Sequence, residues 1–121
     1  VLNERLANSK NMVLIIGETT LLDDDWVPHE IRRAVDICKI PIIAVYTGIA
    51  TPIRRPASLR ASWPVSLAAR IDNGTANVIH IPFKKPAILS AIGQFSHNSL
   101  PVGQGLGFYN DDAYREFGIL G

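Results

Sequence analysis

The sequence predicts an α/β domain with a parallel sheet and helices on both of its faces. Two observations predict it. Apolar runs from Met12 to Ile16, Pro41 to Tyr46 and Ala76 to Phe83 are continuous rather than alternating, as in strands buried on both faces. Between and after them lie stripes of apolar residues at helical period, and such alternation of strands with helices is the signature of βαβ units.

The elements follow in order. From Val1 to Asn11 the sequence reads as the end of a helix, with Leu2 and Leu6 four residues apart among Glu4, Arg5, Asn8 and Lys10. Met12 to Ile16 is the first strand. Asp23 to Asp25 supply a helix cap and negative charge where the helix dipole favours it. Pro28 is tolerated in a first turn, whose amides have no intrahelical acceptor. Val27, Ile31, Ala34, Val35 and Cys38 form the apolar stripe of this helix. The second strand begins at Pro41, where a missing donor does least harm.

Pro52, Pro56 and Pro64 argue against one long helix between Thr47 and Pro64, while Ser66 to Ile71 suits a short helical piece. Asp72-Asn73-Gly74 is a turn signal. Pro82 can end the pairing of the third strand early. Pro86 opens a helix whose stripe is Ile88, Ala91, Ile92 and Phe95. Breakers dominate from Ser96 to Gly107, and Asn110 can cap a last short helix through Phe117. The organisation expected is an α/β unit over residues 1–97 and a Gly-rich tail with a short terminal helix over 98–121.

The chain has 121 residues, a net charge of +1 and 47% hydrophobic residues, a composition that suits one folded domain. No apolar run reaches roughly 18 residues, so no membrane-spanning helix is expected. The single Cys38 cannot form an internal disulfide, which suits a reducing cytoplasm; on the helix stripe it reads as core filler. From Ile37 to Ile71 there is no acidic residue, while Lys39, Arg54, Arg55, Arg60 and Arg70 fall there. That run is either a solvated basic surface or one that attracts phosphates. A nucleic-acid partner is disfavoured by the modest overall balance and the lack of a recognisable motif.

Few residues carry recognisable chemistry. Trp26 and Glu30 stand four apart at the start of the first helix, hence on one face. The loop from Gly17 to Asp25 leads into them from a strand's carboxyl end, where open α/β sheets collect ligands. A carboxylate there can stabilise positive charge on a sugar ring as a glycosidic bond breaks, or hold ribose hydroxyls. The bland alternative is a helix Glu paired with Arg33, with Trp26 packed on the core. Lys84, Lys85 and Pro86 at a helix start form either a phosphate site or a solvated loop end. Gly103-Gln104-Gly105-Leu106-Gly107 follows no strand and opens no helix at the required place, so it reads as a flexible loop. His29, His80 and His97 lack metal-ligand spacing, no metal site is expected, and His80 reads as a hydrogen-bonded core residue.

The run from Asn8 to Tyr46 resembles the TIR-like domains of bacterial antiphage signalling proteins of the Thoeris type. Asn8-Ser9-Lys10-Asn11 precedes the strand. Trp26-Val27-Pro28-His29-Glu30-Ile31 matches the family's Trp, three residues, Glu and aliphatic residue. Lys39-Ile40-Pro41-Ile42-Ile43-Ala44-Val45-Tyr46 follows the helix. Asp23 stands where many TIR domains have Ser, and Val27 where they have Cys. The resemblance implies a flavodoxin-like TIR fold, here expected to lack its N-terminal strand–helix–strand. It also implies cleavage of the nicotinamide–ribose bond of NAD, with Glu30 catalytic and Gly17, Thr19 and Trp26 binding the nucleotide. NAD is then a substrate, and no further cofactor is required. The partners implied are a second copy or another TIR-containing or effector protein, in the cytoplasm and away from membranes. Two alternatives stay open. One is a non-enzymatic TIR assembly module. The other is a receiver domain, which Lys85-Pro86 resembles but which the missing acidic residues disfavour.

Overall fold

The computed structural model describes residues 10–17, 26–96 and 98–119. Most of the expected N-terminal helix, the cap at Asp23 to Asp25, Thr19 and His97 lie outside them. Strands β1 (Met12–Ile16), β2 (Ile42–Tyr46) and β3 (Val78–Pro82) form one sheet in the order β1-β2-β3. Both pairs are parallel, with Met12 beside Ile42 and Ile42 beside Val78, and Ile16 beside Tyr46 and Tyr46 beside Pro82. Proline ends the third strand, where its missing amide interrupts nothing further.

Helix α1 (Trp26–Arg32) connects β1 to β2, and α2 (Val65–Asp72) connects β2 to β3. Both crossovers step the same way across the sheet, so both helices belong on one face. There Ile31, Ala34, Val35 and Leu67 pack with Met12, Leu14, Ile16, Ile42, Ala44, Tyr46 and Val78. Cys38 is half-buried at the edge of this core, as its place on the helix stripe implied. On the other face Ile43, Val45, Ile79 and Ile81 pack with Ala87, Ala91 and Phe95, and with Tyr109 and Tyr114 of the C-terminal segment. Ala87 and Ala91 belong to α3 (Lys85–Gln94) and Tyr114 to α4 (Asp111–Glu116). Asn110 caps α4, its side chain accepting from the Ala113 amide at 2.8 Å.

Five expectations need correction. Met12–Ile16, read as a strand buried on both faces, buries Met12, Leu14 and Ile16 but leaves Val13 and Ile15 exposed, because the second core lies over β2 and β3 and not over β1. The first helix is α-helical only to Arg32; Arg33–Ile37 is a π turn, in which the Cys38 amide donates to the Arg33 carbonyl at 2.8 Å. Lys39, in the left-handed region at φ 55°, ends it, and Ile40 is thereby delivered to the core. In α3, Ala87 rather than Ile92 faces inward: Ile92 is 39% exposed, because a helix this close to the sheet presents small residues to it. The third strand is shorter than its apolar run. Finally, the glycine run is no free loop. Gln104–Leu106 form a 3₁₀ turn, and Gly107 pairs in parallel beside Ile79, donating to the Val78 carbonyl at 3.0 Å and accepting from the His80 amide at 2.9 Å.

The glycines of that run follow from packing. A Cβ at Gly105 would come within 2.8 Å of Ile71 Cγ2, and one at Gly107 within 2.8 Å of the Val102 and Val78 carbonyl oxygens. Only a backbone without side chains can lie that close to β3 and α2.

Candidate functional site

The carboxyl ends of β1 and β2 finish side by side. Thr47 ties them, its amide and its hydroxyl both donating to the Ile16 carbonyl, at 3.1 and 3.3 Å. The chain then turns, with the Ile49 amide donating to the Tyr46 carbonyl at 3.2 Å. The Phe83 amide, just past β3, donates to both Tyr46 and Ile49 carbonyls, at 3.2 and 3.1 Å. Beside this turn is a cavity of about 380 Å³ lined by Ile16, Gly17, Tyr46, Thr47, Gly48, Ile49 and Ser62. Its size and its place beyond the strand ends fit a small-molecule site in an open α/β sheet.

Gly17, expected from sequence, lies in this lining. A Cβ there would sit 3.2 Å from Thr47 Oγ1, so glycine lets the two strand ends approach. Glu30 is half-buried in α1, and it is not among the described lining residues. Trp26 begins the same helix, and its side chain lies outside the description, as does Thr19. The structure therefore brings Gly17 to the cavity and sets Glu30 on α1, the next described element. Sequence reasoning missed Tyr46, Thr47, Gly48 and Ser62. The usable signal for the first three was their position at or just past the carboxyl end of the second of two parallel strands.

Behind the cavity lies a buried chain of hydrogen bonds. Trp63 Nε1 donates to the Tyr46 hydroxyl at 2.8 Å, and that hydroxyl is 2.6 Å from His80 Nδ1. His80 Nε2 is 2.7 Å from the Gly105 carbonyl oxygen. The proton positions follow from chemistry. Indole only donates and a carbonyl only accepts, so the Tyr46 O–H donates to Nδ1 and His80 carries its proton on Nε2. Every group is satisfied with the imidazole neutral. Burial accordingly pushes His80 down to about 4 and the Tyr46 phenol upward. The rings stack, Tyr46 and His80 at 5.9 Å and Trp63 and His80 at 5.5 Å between centroids.

The basic run is mostly neutralised. Arg54 pairs with Asp111, Arg60 with Asp72 through both carboxylate oxygens, and Arg70 with Asp36. The guanidinium groups hold the Asp36 and Asp72 carboxyls below the usual carboxylate range. A phosphate-attracting surface is thus reduced to the solvated alternative. Lys84 and Lys85 are exposed at the start of α3 with no cap contact. A larger cavity, about 620 Å³, lies at the amino ends of the strands between Asp36, Lys39, Thr75 and Asn77, away from the end where such sheets bind ligands. Among the described residues no group of three or more His, Cys, Asp or Glu side chains could hold a metal, and no helix is long and apolar enough to cross a membrane.

Residues 1–51 match the family model described as Thoeris protein ThsB, TIR-like domain. The matched stretch contains β1, α1 and β2, and with them Gly17, Trp26 and Glu30. It supports a TIR-like domain of the Thoeris antiphage type, and the parallel sheet with helices on both faces agrees with that fold. No curated protein matches the chain.

Proposed function

We propose that this TIR-like domain of the Thoeris type cleaves the nicotinamide–ribose bond of NAD in antiphage signalling. One observation carries the proposal. The Trp26-x-x-x-Glu30 pair lies inside the matched stretch, on the helix that follows a strand whose carboxyl end opens onto a cavity. Glu30 is half-buried, and partial desolvation strengthens a carboxylate's pull on a developing cation.

In the proposed reaction the C1′–N bond of the nicotinamide riboside breaks and its electron pair leaves with nicotinamide. Glu30 supports the oxocarbenium-like ribose. Water attacking C1′ and losing a proton gives ADP-ribose; an internal nucleophile of the same molecule gives a cyclic product. Gly17, Thr19 and Trp26 are assigned to nucleotide binding, and NAD is substrate, with no other cofactor required. Cytoplasmic NAD is the supply assumed. The test is incubation of the full-length, activated protein with NAD and analysis of the products, with Glu30→Gln as the paired variant. Equal NAD consumption by the two proteins removes Glu30 from the mechanism.

A second function is an assembly module that pairs with another copy or with another TIR-containing or effector protein. The exposed apolar side chains of β1, Val13 and Ile15, favour it. Absence of NAD consumption by the activated protein would leave this as the function.

A further inference from the structure

We infer that the C-terminal segment, residues 103–119, braces the carboxyl-end cavity, with His80 and Tyr114 as its two positioning residues. Neither of them lines the cavity. The first anchor is the Gly105 carbonyl, which accepts from His80; His80 in turn holds the Tyr46 hydroxyl, and Tyr46 lines the cavity. The paired backbone of Gly107 fixes the same anchor to β3.

The second anchor is Tyr114, fully buried in α4. Its hydroxyl accepts from the Ile53 amide and donates to the Ile53 carbonyl, each at 3.2 Å. Ile53 is itself buried, and the adjoining Arg54 pairs with Asp111 at the head of α4. The stretch from Tyr46 to Ile53 thus runs between two points that the C-terminal segment holds. Thr47, Gly48 and Ile49, the cavity's turn, lie between them. Both amide and carbonyl of Ile53 depend on one hydroxyl more than sixty positions away in the chain, so the turn's shape depends on the docking of α4.

Coupling follows from this arrangement. A ligand that needs the turn in place binds best when the segment is docked, and a partner that displaces the segment weakens the ligand's site by the same factor. The kinetic arm below rests on the NAD proposal; the exchange arm does not.

The experiment compares the full chain with Tyr114→Phe, which keeps the ring packed and removes only the hydroxyl, and with Gly105→Ala, whose added Cβ would meet Ile71 of α2 and so shift the first anchor. Amide hydrogen exchange is read at Thr47, Ile49 and Ile53. Tyr114→Phe is expected to speed exchange at Ile49 as well as Ile53 by roughly fivefold or more, since both of the hydroxyl's hydrogen bonds to Ile53 are lost. Gly105→Ala is expected to speed Thr47 and Ile49. With NAD as the probe, KM rises in both variants while kcat stays near the parent value. A rise confined to Ile53 and α4 in Tyr114→Phe, with Thr47 and Ile49 exchanging as in the parent in both variants, overturns the brace. No NAD turnover by the activated parent counts against the proposed function alone, and the exchange result then decides the brace.

Discussion

Tyr46 and His80, 34 positions apart in the chain, share a 2.6 Å hydrogen bond inside the sheet's first core. The bond has one allowed direction. Protonating His80 would place an N–H against the Tyr46 oxygen and leave the phenol proton without its acceptor. The buried imidazole is therefore stable only as the neutral form.

A pH dependence follows, and its sign can be worked out. Folded His80 takes up a proton only near 4, against 6.5 for an unperturbed imidazole. Between those values the unfolded chain binds more protons, so stability is fully present above the unfolded value and is lost as pH falls toward 4. The Asp36 and Asp72 carboxyls, held low, weaken the fold only at still lower pH. Denaturant titrations at about pH 7 and about pH 5 should differ by about 2 kcal/mol for the parent protein. His80→Gln should start less stable and lose most of that difference. An unchanged difference in the variant would show that another group titrates.

Gly105→Ala tests the packing of the glycine run. The added Cβ meets Ile71 at 2.8 to 3.0 Å through three of its carbons. Overpacking of this kind should cost about 1–3 kcal/mol in a chemical denaturation curve. Combining it with Ile71→Ala should recover part of the loss, a coupling that a double-mutant cycle measures. Strict additivity would mean that the clash is relieved elsewhere.

Strand β1 separates its two faces sharply. Leu14 is 4% exposed and Ile15 is 53% exposed. Ile15→Lys should change stability by no more than about 0.5 kcal/mol, whereas Leu14→Lys should abolish folding. An exposed apolar face is also a contact hazard, so Ile15→Lys should reduce self-association in sedimentation velocity at high concentration. Identical sedimentation of parent and variant would remove this face as a contact surface.

For Glu30, replacement by Gln should lower NAD turnover by roughly 10²-fold or more, the scale of losing one electrostatic stabiliser. The thermal midpoint should barely move, because the amide keeps the shape of a half-buried side chain on a short helix. A large fall in midpoint together with activity would assign Glu30 a structural role instead.

The parallel sheet was legible because both faces of its central strand, β2, are covered. Ile42 to Tyr46 had to be apolar throughout, and a run of that kind is visible without coordinates. The cap at Asn110 was legible for the same local reason, since it depends on a donor three residues away. The π turn was not. Its sequence, Arg33 to Ile37, has ordinary helical periodicity, and the widening concerns how Ile40 reaches the core before β2 begins. Ile92 was misplaced because hydrophobicity marks a helix face only until the neighbouring layer comes close enough to require alanine.

The candidate site divides in the same way. Chain neighbours carried the Gly17 loop, the Trp26 and Glu30 spacing and the position beyond a strand's carboxyl end, because one strand and one helix turn set all three. Tertiary packing alone decided that Thr47 meets Ile16, that His80 joins Tyr46 to Gly105, that the basic run meets Asp36, Asp72 and Asp111, and that the glycine run lies on β3. The physical reason is range. Periodicity and capping are energies between residues a few positions apart, and they leave a trace in local sequence. A buried hydrogen bond or a close backbone approach is an energy between surfaces that meet only once the sheet has formed, and neither partner's neighbours record the other.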